Sequence, residues 1–298
     1  MQLLYSIDTT SDTTAFRNPV QTLDKNFDKT RELFVFLLTN VLAVAKYAER
    51  DARHRAAKNV PSEQDLNVNT KIAGNIMLWQ ILENVSYKIA VEQYKTNLVV
   101  DDDITRKLYL QLTETDEYKQ YIAIEARGKK EDVAILSLIF NNIMLQSDVF
   151  VSYCEDKFAN WDDDIEMLLS LLNAYLSRPQ SLEMINMLDA DKWSFAKLLL
   201  NTCLEKKDHL LEYISPKLKN WDVDRIASLD LIILQMGLSE LLYFETIPTK
   251  VTINEYIDLA KEYSTPQSGQ FVNGLLDNLY KELTAAGKID KVDYRKNK

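Results

Sequence analysis

Apolar residues recur at three- and four-residue spacing through most of this chain, the period of amphipathic helices and not of strands. The longest such run goes from Thr22 to Arg55. Phe27, Leu33, Phe34, Leu37, Leu38, Val41, Leu42, Ala45 and Tyr47 supply its buried stripe. The polar text "ERDARHRAAKNVPSEQD" then reaches Pro61, which predicts a helix stop and a loop. "NTKIAGNIMLWQILENVSYKIA" reads as a second helical run, followed by "VVDDDITRKLYLQLTET". Two further stretches, beginning "GKKEDVAILSLIF" and "LEMINMLDADKW", carry the same period with no obvious chemistry. No internal repeat or low-complexity linker interrupts them.

The C-terminal text is denser in signals. Ile226, Leu229, Ile233, Met236, Leu241 and Leu242 share one broad helical face. Gly237 within it weakens a helix by about 1 kcal/mol relative to Ala and predicts a closely approaching backbone. Pro248 turns the chain. "VTINEY" predicts a capping box, with Thr252 as cap, Glu255 reaching back and Val251 packed on Tyr256. That helix runs to about Tyr263. In "STPQSG", Thr265 is the expected cap and Pro266 the first helical residue. Val272, Leu275, Leu276, Leu279 and Leu283 form the next buried stripe, and Gly274 again suggests close approach. Phe271, near the helix start, either packs inward or stands at the surface. The opening "MQLLYS" has no N-cap and reads as the last turns of a helix whose front is missing.

Composition narrows the class. Six glycines and six prolines in 298 residues are too few for turn-rich β architectures, so an all-α fold is expected. A net charge of −10 argues against nonspecific coating of nucleic acid, while leaving room for a local basic site. Arg50, Arg53, Arg55 and Lys58 make one basic cluster, read as a solvated helix end, with an RNA contact as the sharper alternative. Asp101–Asp103 and Asp162–Asp164 each precede a helical stripe and read as N-caps, not metal sites. Cys154 and Cys203 have no disulfide or metal spacing, and no run reaches the length of a membrane span or forms a signal peptide. A cytoplasmic protein is expected. His54 and His209 sit in no catalytic motif, so neither an enzyme, a metal nor a cofactor is expected.

"PTKVTINEYIDLAKEYSTPQSGQFVNGLLDNL" resembles the signature of the NusB family of bacterial transcription antitermination factors, in its paired I-N-E and F-V-N-G blocks. "DLIILQMGLSELLYFETIP" is similar to the family's preceding helix, with Glu240 in the E-L pair that ends it. The likeness spans about residues 220 to 283. "MQLLYS" resembles the end of the family's first helix, which an arginine-rich segment normally precedes; the favoured expectation is that this segment is encoded upstream of Met1, the alternative that RNA is bound differently. Family members are about half this length. The expected division is therefore 1–59 as N-terminal helices of the core, 60–180 as a helical insertion, and 181–298 as the C-terminal helical domain.

The resemblance implies an all-helical pair of bundles. It also implies an adaptor that binds the boxA element of nascent ribosomal RNA with ribosomal protein NusE, in the antitermination complex of RNA polymerase. Carried over by position, Phe271 is the residue expected to touch a base, with a plain core position as its alternative. Gln267, Ser268 and Gln270 are expected polar contacts, Lys250 a phosphate contact, and Tyr5 either exposed or packed. Gln267 stands where the family often has an acid, so no charge-based contact carries over there. Asn254, Glu255, Asn273, Gly274 and Glu240 are expected to be architectural. The competing expectation is a helical scaffold that binds NusE and has lost RNA.

Overall fold

The computed structural model describes residues 1–10, 16–126, 128–184, 186–220 and 228–292, where every regular element is helical. No strand occurs among the described residues. Ile226 lies outside them. Packing groups the chain into two compact units, Met1–Lys25 with Leu188–Lys298, and Asn26–Met187. These cuts fall away from 59/60 and 180/181, because the first long helix packs with the middle of the chain from Asn26 onward.

Helix α1 (Gln2–Thr9) belongs to the first unit, and α2 (Pro19–Ala56) runs from there into the second. Instead of one stripe, every residue of α2 from Leu33 to Leu42 is buried. Such a helix is enclosed on all sides. Phe34 meets Tyr175, Phe36 meets Phe150 and Phe158, and Tyr47 meets Tyr109. The polar residues in this stretch are satisfied locally. Thr39 donates to the Val35 carbonyl at 2.7 Å, and Asn40 to the Phe36 carbonyl at 2.9 Å.

The unit continues with α3 (Glu63–Leu66), α4 (Ile76–Glu83), α5 (Val85–Tyr94), α6 (Asp102–Glu114) and α7 (Asp116–Ala123). They are joined by α8 (Lys129–Leu138), α9 (Asp148–Lys157) and α10 (Trp161–Ser177). The expected second helical run is therefore broken into a 3₁₀ turn (Lys71–Gly74), α4 and α5. Asparagine causes both breaks: Asn75 Oδ1 accepts the Leu78 amide, and Asn84 Oδ1 accepts the Tyr87 amide. Asn84 also donates to the Pro179 carbonyl at 3.2 Å. Asn84→Ala is expected to cost about 1–2 kcal/mol. That is a fall of several degrees in the melting transition of a unit this size, at about 2–4 °C per kcal/mol, readable by circular dichroism.

Asp101 caps α6 as expected, accepting the Ile104 amide at 2.8 Å. Asp162–Asp164 differ: they occupy the first turn of α10 and make no cap bond, while Asp164 accepts from Thr30 and Asn160. There they complement the positive helix end. The basic cluster at the end of α2 is largely ion-paired, Arg50 to Asp102 at 2.6 Å, Arg55 to Asp51 at 2.8 Å and Lys58 to Asp65 at 2.7 Å. Neither cysteine forms a disulfide: both are buried thiols. No single helix among the described residues is long and apolar enough to cross a membrane.

The remaining helices of the first unit are α11 (Ala190–Glu205), α12 (Lys207–Ile214), a 3₁₀ turn Ser215–Asn220, α13 (Ser228–Tyr243), α14 (Thr249–Tyr263) and α15 (Ser268–Ala285). Helix α13 packs against α1, α11, α12, α14 and α15, and every residue from Ile232 to Leu241 is buried. At Gly237 a Cβ would lie 2.8 Å from Leu276 Cδ1 and 3.2 Å from Tyr256 Cδ2. The close approach expected there is real, but it comes from side chains of α14 and α15 and not from a backbone.

Both expected caps in this region fail. Helix α14 starts at Thr249 behind Pro248, without a side-chain cap. Thr252 is buried and donates instead to Glu240, while Glu255 is exposed and Val251 is 46% exposed. A buried partner on α13 has taken the hydroxyl from its local role. Helix α15 starts at Ser268, with Pro266 and Gln267 in the turn before it. The Thr265 amide donates to Ser268 Oγ at 3.2 Å, the reverse of Thr265 acting as cap.

Candidate functional site

The first turns of α15 are set by three side-chain arrangements. Ser268 is buried and its hydroxyl donates to Asp230 Oδ2 at 2.9 Å, with the Ser264 and Thr265 hydroxyls 3.0 and 2.8 Å away. At Gly269 a Cβ would stand 2.9 Å from Lys261 Cγ and 3.6 Å from the Ile257 carbonyl, so a larger residue would have to displace the Lys261 side chain for α15 to begin this close to the end of α14. At the other end of α14, Thr252 donates to Glu240 Oε1 at 2.6 Å and Tyr256 to Glu240 Oε2 at 3.0 Å, inside the core. Burial, and then the neighbouring Glu240 charge, push the Tyr256 phenol well above its ordinary range. Lys291 donates to the Glu240 and Phe244 carbonyls at the end of α13, and burial lowers its ammonium below the usual value.

This framework holds one face of α15 outward. Gln270, Phe271, Gly274, Leu275 and Asn278 recur at i and i+4 along it, as one helical face requires. With Pro216 and Lys217 from the 3₁₀ turn they line an open cleft of about 560 Å³. Phe271 is 8% exposed: it belongs to the core with Val272 and Leu276 and also forms a wall of the cleft. Gln270 and Asn278 are exposed. Gly274 has nothing within 4 Å of where a Cβ would be, so its missing side chain is open space in the cleft. Among the described lining residues Lys217 is the one cation, and it is ion-paired with Glu282.

The expected contact residues thus separate. Gln270 and Phe271 come together in the cleft. Ser268 does not face it, because its hydroxyl is spent on Asp230 in the interior. Gln267 is exposed in the turn ahead of α15, outside the lining. Lys250 is exposed at the start of α14, about 16 Å of helix rise from the Lys261 end that abuts α15. Tyr5, 38% exposed, stands on α1, which packs against α13.

The architectural set also needs correction. Asn254, Glu255, Asn273 and Gly274 are all exposed, so none of them packs the core. Glu240 is buried, and with Asp230, Ser268 and Gly269 it does that work. The helical period alone would have added Asn278 to Gln270 and Gly274, being on the same face. Lys217 had no such signal, because it reaches the cleft from another element.

The family model described as NusB family matches residues 155–281, reaching further toward the N-terminus than the 220–283 stretch that carries the signature. Several curated proteins are similar to part of the chain. The transcription antitermination protein NusB of Salinibacter ruber is 40% identical over 103 residues, covering 35% of this chain and 64% of that protein. Its counterpart in Methylacidiphilum infernorum is 42% identical over 102 residues, covering 31% and 71%. The one in Chloroherpeton thalassium is 30% identical over 134 residues, covering 42% and 64%. The chain therefore spans less than two thirds of the length of the first and third of these relatives. No solved structure shows significant similarity to it.

Proposed function

The chain belongs to the NusB family, and from that premise we propose that it is a transcription antitermination factor, an RNA-binding adaptor and not an enzyme. Its finer role is to hold the boxA element of nascent ribosomal RNA beside ribosomal protein NusE within the polymerase complex, in the cytoplasm. The cleft along α15 is the place where the unpaired strand lies.

The observation that carries this reading is Gly274. A glycine inside a helix costs about 1 kcal/mol relative to Ala, and no packing contact repays it here. What it provides is room for a ligand to reach the helix surface between two exposed amides. Gln270 and Asn278 can each donate and accept, as reading the edges of splayed-out bases requires. The Phe271 edge and Leu275 offer an apolar wall, and Lys217 a partner for phosphate once it leaves Glu282.

The test is an anisotropy titration of boxA RNA, with and without NusE. Gly274→Ala should stabilise α15 by up to about 1 kcal/mol and yet weaken RNA binding by about tenfold, because the new methyl fills the cleft. Lys217→Gln should flatten the salt dependence by about 0.7 in the logarithmic slope, the loss of one phosphate contact on a single strand. Unchanged RNA affinity in Gly274→Ala would put the strand elsewhere. The second reading, a scaffold for NusE without RNA, draws on the single paired cation of the cleft and the net charge of −10. It predicts NusE binding with no RNA affinity in any variant.

A further inference from the structure

A groove of about 890 Å³, larger than the α15 cleft, lies in the Asn26–Met187 unit, and the antitermination reading leaves it unused. One wall is α2, which contributes Thr39, Leu42, Lys46, Arg50 and Arg53. These positions advance by three or four residues at a time, so they form a stripe about 21 Å long. The facing wall is α5, through Tyr87, Lys88, Val91 and Lys95. The groove thus runs between two helices.

Its floor is aliphatic: Leu42, Leu82 and Val91. The two tyrosines that border it are committed elsewhere. Tyr87 is buried and donates to Thr39 Oγ1 at 3.2 Å, while Tyr47 packs on Tyr109 and lies 5.3 Å below the Arg50 guanidinium. No aromatic face is thus left open on the floor for a base to stack on, which disfavours RNA.

The rim is basic. Lys46, Arg53, Lys88 and Lys95 are exposed around it, against Glu49 and Glu92, while Arg50 is paired with Asp102. This is a local excess of positive charge on a chain of net charge −10. Lys95 adds an independent sign. It ends α5 in the left-handed conformation, with φ of 53°, where glycine is the unstrained choice. A lysine there costs about 1 kcal/mol or more, and it is the residue that sets an ammonium at the end of the groove.

We propose that this groove takes an acidic amphipathic helix from a partner protein. Apolar side chains at i, i+3 or i+4, and i+7 lie on the aliphatic floor, and carboxylates meet Lys46, Arg53, Lys88 and Lys95. The test is selection of displayed random peptides of about fifteen residues on the full chain, then anisotropy with the enriched peptides. The comparison is K46E/K88E, which reverses two exposed charges and should leave the circular dichroism spectrum unchanged.

The expected result is enrichment of Asp- and Glu-rich peptides with that apolar spacing, which lose about tenfold in affinity on the double reversal. A central proline in the peptide should abolish binding. Enriched peptides without the pattern, or peptides indifferent to K46E/K88E, would overturn the proposal. So would oligouridine RNA losing affinity on the double reversal while the peptides do not, since that makes the groove a nucleic-acid site. If the double reversal dissolves a dimer of the native chain, the occupant is a second copy and the proposal also fails.

Discussion

Phe271→Ala will destabilise the unit that carries the cleft by about 3–5 kcal/mol, the usual cost of removing a buried aromatic ring from a packed core. Phe271 is 8% exposed and packs with the residues of α13 and α15. Any loss of RNA binding in this variant therefore mixes a weakened fold with a lost contact. Phe271→Leu separates the two, since it keeps most of the volume and should cost under about 1.5 kcal/mol. If the ring edge also meets a base, the leucine variant still loses about 1–3 kcal/mol of RNA affinity with its fold intact. With two compact units the unfolding need not be two-state, so hydrogen exchange of the α15 amides is the appropriate measure. Native-like protection of α15 in Phe271→Ala would mean that the ring is not part of the core.

Glu240→Ala is expected to cost about 2–4 kcal/mol, the penalty of stranding a buried hydroxyl together with the cavity the side chain leaves. Two hydroxyls donate to this carboxylate, Thr252 at 2.6 Å and Tyr256 at 3.0 Å. Thr252 can turn back to a carbonyl of its own helix, so most of the penalty falls on Tyr256, left buried without that acceptor. Glu240→Gln retains one acceptor and an amide that the Tyr256 oxygen can accept from, and should cost about 1–2 kcal/mol. Urea titration of native, Gln and Ala chains should therefore give three ordered midpoints. An alanine variant within about 1 kcal/mol of native would show that the network does not hold α13 to α14.

These two positions show how stability and binding are divided along the closing helices. Glu240, Asp230, Ser268 and Gly269 lock α13, α14 and α15 together from inside. The face of α15 with Gln270, Gly274 and Asn278 is spared from packing. On the proposed reading, a cleft held by packed helices would cost little reorganisation on binding, which favours affinity without new contacts.

Much of the helical order was legible from period and punctuation. The long α2, the end of α14 at Tyr263, the buried stripe of α15 and the Asp101 cap all follow from local residue spacing. The failures share a cause. Thr252 and Thr265 carry short-range capping signals, but Thr252 meets Glu240 deeper in the fold and Thr265 meets Ser268 close at hand. Gly237 and Gly274 look alike in sequence, yet one faces Leu276 and the other open space. Asn84 broke a helix that hydrophobic period alone continued.

The sequence by itself determined the all-helical class, the placement of most helices and the family, because these depend on spacing and on short motifs read along one strand of text. Only the tertiary structure decided which glycine admits a neighbour, which polar side chains are spent inside, and that Lys217 meets α15 in a cleft. Those outcomes depend on which elements pack together, and residues far apart in the chain carry no local mark of the partner they will meet.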